Sequence, residues 1–553
     1  MEPTVLDAIT DIETLRAVAT HVLRSHSEEL VHYKERCRAL EHKLILKEER
    51  IAELLRERWC RSSEKLTASE KDAKQIDLFN EIEQIAETEK QNQEKESVPV
   101  KSHTRARGKR EALPEDLPRI ETIIDIDETE KTCGCGAALV RIGEDTSEKL
   151  EMIPARFVVR RTVRPRYACP CCGGTENEPE RPVAVAPVPP SILPKTFATP
   201  SLLATIATWK FQDALPLYRQ EQVFSRHGID LGRATMSRWM LMLAEKCKPI
   251  INLLDAHIRS GPLIGMDETP TQVLGEEDRA DTATSYMWLA RGGPPGKTAV
   301  RFMYHPTRSS SVPKEFLRTY NGVLQTDGYE AYDATVRSFL AEGNDGIVHV
   351  GCMTHARRMF IKADRSGKTA TSAKKALAYF KKLYAIEREA SEKNLDDASR
   401  VLLRREKSVP ILDEFKNWLD TRKTEVPPES LIGKAIGYTL GQWDKLIRYI
   451  DYGFVPIDNN LVENAVRPFV IGRKNYLFHG SPTGADASAS LYSIIETAKI
   501  NGHEPFYYLY YLFSKLPFVK NDADYRALLP FNVSRKEILD FIRFRGGSVK
   551  QLS

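Results

Sequence analysis

The chain has 553 residues with 81 Lys+Arg against 77 Asp+Glu, and a net charge of +4 does not by itself argue for a polyanionic partner. Hydrophobic residues at 41% and charged residues at 29% exclude a chain disordered throughout, and no apolar run reaches the roughly 18 residues that a membrane-spanning helix needs. The acidic opening MEPTVLDAITDIETLRAV lacks the basic and apolar parts of an export signal, which predicts a cytoplasmic protein. Of nine cysteines, five lie between Cys133 and Cys172. Without export, such a cluster is expected to ligate metal rather than to form disulfides.

From Leu30 an apolar seam recurs at heptad spacing through Leu30, Cys37, Leu44 and Ile51, with Tyr33, Leu40, Lys47 and Leu54 three residues after each. The pattern predicts a coiled coil and self-association; an amphipathic helix packed on its own domain is the alternative. The helical segment, with a short acidic helix over Gln75 to Lys90, is taken as 1–95. A polar linker, 96–112, ends in Lys101, Arg105, Arg107, Lys109 and Arg110. Such a basic arm suits DNA phosphates or a minor groove, and equally a solvated linker.

The third segment, 113–176, carries TCGCG with Cys133 and Cys135, then YACPCCGG with Cys169, Cys171 and Cys172. Two glycine-bearing thiol knuckles fit a tetrahedral structural zinc ribbon, with a metal-free reduced cluster as the alternative. Cys133, Cys135, Cys169 and Cys172 are the expected ligands, because the two-residue gap from Cys169 to Cys172 is the usual one; Cys171 is spare. Between the knuckles Arg156, Arg160, Arg161, Arg164 and Arg166 alternate with valines and no acid intervenes, predicting a cationic β-ribbon for a DNA backbone. Seven prolines between Pro179 and Pro200 mark a semi-rigid connector over 177–200.

Helical patterns fill 201–258. LPLYRQEQVFSRHGIDLGRATMSRWMLML reads as two helices around a turn bracketed by Gly228 and Gly232, with Thr235, Ser237 and Arg238 opposite Met236 and Met240. This fits a helix-turn-helix or a plain helical hairpin. Strand-like runs follow: LIGMDET, SYMWLAR, AVRFMYH, GVLQTDGY and GIVHVGC. Helical patterns return from Ala373 to Tyr452 and continue to about Phe541, so an α/β or α+β domain is expected.

Three acids stand where chemistry would place them. Asp267 and Glu268 interrupt an apolar strand, Asp327 closes another before Gly328, and Glu463 lies in the turn that follows the N-cap offered by Asp458, Asn459 or Asn460, in a helix that Pro468 would end. Together such carboxylates would hold hard cations for phosphoryl transfer. Singly, each has a plainer reading: a salt bridge, a turn former, and a partner for Arg467 four residues on.

Long ordered matches carry a resemblance over nearly the whole chain. They include RSSEK, QIDLFNE, LPEDLPR, RIGEDTSEKLEMIPARFVV, RPRYAC, LPLYRQEQVF, MDETPTQVL, LQTDGYEAY, GCMTHARRMF, DNNLVENAVRPFVIGRKNYLFHGS and LYSIIETAKINGHEP. The chain resembles transposases of the insertion sequence 66 family. The resemblance implies a multidomain α/β fold with a ribonuclease-H-like mixed sheet over 259–500, interrupted by a helical insertion at about 373–452 and followed by a helical extension, 501–553. It implies an Asp-Asp-Glu triad of Asp267, Asp327 and Glu463 holding Mg²⁺ or Mn²⁺, and so selects Asp267 over Glu268. His355, Arg357 and Arg358, with Arg473 and Lys474, would be phosphate or DNA contacts near the triad, or ordinary surface charge. The C-x-C knuckle and Met353, where an aromatic is frequent, depart from the commonest family pattern. The implied function is a bacterial, nucleoid-associated transposase that binds terminal inverted repeats, cuts their ends and joins them to double-stranded target DNA. Accessory proteins of the same element are further implied partners; a non-catalytic DNA-binding regulator or a nuclease without strand transfer are the alternatives.

Overall fold

The computed structural model describes residues 12–59, 157–167, 184–364 and 370–546. The chain divides into two units, Asn80–Pro189 and the remainder. In the smaller unit, strands β1 (Arg166–Tyr167) and β2 (Ala184–Val185) pair antiparallel. The predicted cationic ribbon is therefore much shorter than its alternating valines suggested: 157–165 is irregular. Among the described residues the exposed Val158, Val159 and Val163 have no sheet to cover them, so alternation alone does not make a strand there. Arg160, Arg161, Arg164 and Arg166 are all exposed, and Arg164 Nη1 donates to the Ala186 carbonyl at 2.8 Å.

The larger unit begins with α1 (Ile12–Trp59). Four helices precede its sheet: α2 (Pro200–Phe211), α3 (Leu217–Arg226), α4 (Arg233–Lys246) and α5 (Lys248–Arg259). Between α3 and α4, Gly228 takes φ +73°, which a side chain would disfavour, and Glu221 accepts from the Arg233 N–H at 3.1 Å, capping a helix whose own N-cap is Gly232.

All five strand-like runs form one sheet: β3 (Leu263–Gln272), β4 (Thr284–Gly292), β5 (Ala299–His305), β6 (Gly322–Gln325) and β7 (Ile347–Val350), in the order β5-β4-β3-β6-β7. The first three run antiparallel; β6 and β7 continue parallel to β3. The β5 edge is closed by α15, the helix Pro482–Ile500, whose Ser493 and Thr497 hydroxyls accept from the Phe302 and Val300 N–H groups at 2.8 and 3.0 Å. Hydroxyls on a covering helix thus replace a missing strand.

Between β5 and β7 come α6 (Ser311–Leu317) and α7 (Glu330–Ala341), and after β7 a helical block: α8 (Met353–Asp364), α9 (Ala370–Glu392), α10 (Asp397–Leu403), α11 (Val409–Glu425), α12 (Leu431–Gly441) and α13 (Trp443–Ile447). This block has its own aromatic centre, where Phe415 meets Phe360, Phe380 and Trp443. Arg404 is fully buried there, paired with Glu387 and donating to the Tyr449, Tyr452 and Val455 carbonyls at 2.7 to 2.9 Å. A guanidinium can be tolerated in a core when its donors are met in this way.

The chain then returns to the sheet as α14 (Asn460–Tyr476), and after α15 ends in α16 (Pro505–Lys515), α17 (Asp522–Ala527) and α18 (Arg535–Gly546). Pro468 does not end α14 as expected; it lies inside the helix. A proline costs the bond to the carbonyl four residues back, but the burial of Val466, Phe469 and Val470 around it carries the helix through.

Candidate functional site

The β3–β6 register places Gly265 opposite Gln325. Two residues further, where β6 has given way to a turn, Asp327 therefore lies beside Asp267 of β3. Asp327 Oδ1 accepts from the Tyr329 N–H at 2.9 Å, and the Thr326 hydroxyl donates to the Asp327 carbonyl at 2.8 Å. Behind them His349 joins Thr326 at 2.8 Å and Asp333 at 3.1 Å, and Lys445 joins Asp333 at 2.7 Å. Burial alone would push Asp333 up, but His349 and Lys445 hold its carboxyl at about 2. Gly328 is required here, since a Cβ would come within 2.6 Å of the Tyr438 hydroxyl.

Glu463 arrives on α14. Asp458 sets the start of that helix, accepting from the Asn460 N–H at 3.1 Å, the Thr354 hydroxyl at 3.1 Å and the Tyr384 hydroxyl at 2.8 Å. Asn459 donates to the Met266 carbonyl at 3.1 Å, tying the helix to β3. The closeness of that approach needs Gly265, where a Cβ would stand 2.3 Å from Val462 Cγ2. Strand alternation puts Gly265 and Asp267 on one face, so the approach that packs Val462 on Gly265 brings Glu463 toward Asp267.

The electrostatics register this meeting. Burial, then Glu268, Asp327 and Glu463, hold the Asp267 carboxyl well above the usual carboxylate range. Neither Asp267 nor Asp327 is ion-paired among the described residues, so the pair has the donor chemistry of a hard divalent cation. Glu268 points to the opposite face, where Arg308 and the Tyr332 hydroxyl hold it. Glu463 is 1% exposed and gripped by Arg358, whose Nη1 lies 2.9 Å from Oε1. His355 Nδ1 is 3.7 Å from Oε1, and the ligand atoms of Cys352, His355 and Glu463 lie within 4.8 Å of one another, close enough to share an ion.

The other expected contacts fall in various places. Arg358 is buried on Glu463, and Arg357 is half-buried over the Tyr384 ring. Lys474, Ser237 and Arg238 are exposed, Arg473 is half-buried, and Met236 and Met240 are buried beneath α4. Arg105, Arg107, Lys109, Arg110, Cys133, Cys135, Arg156, Cys169, Cys171 and Cys172 lie outside the described residues. Sequence reasoning missed Arg308, Tyr332 and Cys352. Only Cys352 left a signal, three residues before His355 and so one helical turn away.

An acid on β3, a second just past the end of β6 and a third on a helix laid across them form a group able to hold divalent cations, and comparison with known proteins places the chain among transposases. The family described as "Transposase IS66 family" matches residues 195–487, its C-terminal element 493–531, its zinc-finger binding domain 130–173, and a segment described as "Transposase C of IS166 homeodomain" 47–122. The chain belongs to the IS66 transposase family. Similar proteins come from Sinorhizobium fredii (strain NBRC 101917 / NGR234). "Uncharacterized protein y4jD" is 35% identical over 72% of this chain and 76% of its own length. "Uncharacterized protein y4qI" is 32% identical over 77% and 78%, and "Uncharacterized protein y4hP" 30% identical over 73% and 74%. Among the described residues no helix is long and apolar enough to cross a membrane.

Proposed function

We propose that the chain binds the terminal inverted repeats of its own element, cleaves their ends and transfers the freed strand to target DNA, with Asp267, Asp327 and Glu463 as the catalytic acids. The observation that carries this is geometric: the β3–β6 register sets Asp327 beside Asp267, and α14, tied to β3 through Asn459 and packed on Gly265, brings in Glu463. The mixed sheet, with Asp267 midway along β3 and Asp327 just past the end of β6, supports a ribonuclease-H-like core for 259–500 with a helical insertion at about 373–452.

Asp267 and Asp327 would hold one Mg²⁺ or Mn²⁺, and Glu463, with His355 and Cys352 beside it, would complete the second position. When bound, such ions activate the attacking hydroxyl and stabilise the leaving oxygen of an in-line displacement. The protein's own part is positional: the Tyr329 N–H orients Asp327, and Arg358 holds Glu463 in one rotamer. Exposed Arg160, Arg161, Arg164, Arg166, Arg238 and Lys474 would lie along DNA phosphates, joined by Arg357, Arg473, Arg156 and the basic arm. Cys133, Cys135, Cys169 and Cys172 would hold a structural Zn²⁺, consistent with the zinc-finger match over 130–173. The seam of α1 would pair protomers, so that two DNA ends are held together, with accessory proteins of the element as further partners.

The test is Asp327→Asn. In a gel-shift assay it should bind end DNA as the wild type does, while Mg²⁺-dependent strand cleavage falls by at least about 10³-fold, as expected when a metal-holding carboxylate is removed. A variant that still cuts normally refutes the triad.

A further inference from the structure

Beside the acid site is a cavity of about 190 Å³, smaller than the roughly 300–1,000 Å³ typical of sites for drug-sized ligands. Pro294, Pro295, Pro456 and Phe454 give it flat apolar walls; Arg291 and Asn459 supply polar groups. Arg291 is the cross-strand partner of Gly265, so its side chain leaves β4 on the face that carries Gly265 and Asp267. Asp267 is two residues further along β3, about 7 Å away at the usual rise per residue.

Each polar side chain has an atom without a protein partner among the described residues. The half-buried Arg291 guanidinium makes no hydrogen bond or ion pair among the described residues, and burial draws it below its ordinary range. Asn459 is 2% exposed, and its amide nitrogen is committed to the Met266 carbonyl. Its Oδ1 therefore faces the other way, 2.9 Å from where a Gly265 Cβ would stand, buried and without a donor. The buried Asn459 oxygen is costly to leave unmet, while the half-buried Arg291 keeps its donors open to a ligand.

An orphaned donor and an orphaned acceptor in one small flat-walled cavity suit a planar group that offers the converse pair. A nucleobase does so, presenting acceptors and N–H donors along its pairing edge. A phosphate would satisfy Arg291 but has nothing to donate to Asn459, and proline and phenylalanine walls would not solvate it. We propose that this cavity receives one nucleobase flipped out of the DNA end during cleavage. The inference rests on the transposase reading above. Lodging a base here would fix the strand's position relative to Asp267 and loosen the duplex where it is cut.

The experiment uses the full-length protein and duplexes of the element's own end, with 2-aminopurine substituted singly at each position around the cleavage site. Binding should raise the fluorescence severalfold at one position, because the base leaves the stack. Arg291→Gln should lose that rise, with cleavage reduced about tenfold. An abasic nucleotide at that position should remove most of the difference in binding between variant and wild type, since no base then needs lodging. Ends bound and cut by the wild type with no fluorescence rise at any position overturn the pocket alone, and so does an undiminished rise with Arg291→Gln. Failure to bind or cut the ends at all overturns the transposase reading, and this inference with it. The wild-type scan stands even if the variant does not fold.

Discussion

Asp267 and Glu268 are neighbours in the chain with opposite surroundings. Alternation along β3 turns Glu268 to a face where Arg308 and Tyr332 hold it, and turns Asp267 to the other face, where Asp327 and Glu463 oppose its charge and no ion pair is made among the described residues. A carboxyl whose folded value is raised above its unfolded one contributes stability below the unfolded value, and that contribution is lost as pH rises through the folded value. At neutral pH the metal-free fold therefore bears a cost at Asp267. Asp267→Asn should raise thermal stability in chelator, because the amide carries no charge for burial and the neighbouring acids to oppose. Added Mn²⁺ should stabilise the wild type and leave the variant unmoved. Calorimetry with and without the ion checks both; a variant less stable in chelator would mean that no strained carboxyl cluster exists. Choosing between Asp267 and Glu268 was beyond composition, because both read as acids in an apolar strand. The partners that distinguish them, Arg308 and Tyr332, lie 40 and 64 residues away.

At the scale of elements, the contact of α14 with β3 decides whether Glu463 reaches the aspartates. Gly265→Ala would push a methyl into Val462 at a contact no relaxed packing allows. Overpacking of this kind costs about 1–3 kcal/mol. The variant should therefore remain folded, with a lowered melting temperature, and lose cleavage out of proportion to that loss. Parallel denaturation and cleavage assays test this; a cleavage rate that merely tracks the folded fraction would show that helix position is unimportant. The five strands were legible from apolar runs bounded by turn residues, and the helical block from its period. The failures share a cause. Pro468 reads locally as a stop, and residues 157–165 read locally as a strand; in each, burial or its absence overrode the local signal.

At the scale of the whole molecule, α1 keeps its heptad seam uncovered. Leu30, Tyr33, Leu40, Leu44 and Ile51 are between 54% and 63% exposed, more apolar surface than a solitary helix has reason to show. Near its end Glu49 accepts from the Leu431 N–H at 3.1 Å, anchoring it to the start of α12 while the seam stays open. If the seam pairs protomers as proposed, a double substitution, Leu40→Glu with Leu44→Glu, should lower the mass to that of one chain without moving the melting transition of the sheet. Light scattering at matched concentrations reads the mass; an unchanged mass removes the coiled coil as the pairing device.

By itself the sequence determined the elements, because periodicity and turn residues act within a few positions, and it determined the family, through motifs spread along the chain. Only the tertiary structure decided that Arg308 and Tyr332 hold Glu268, that Arg358 closes on Glu463, and that Arg291 and the Asn459 Oδ1 are left without a protein partner. Those are outcomes of burial and charge between segments tens to more than a hundred residues apart, and no local pattern encodes them.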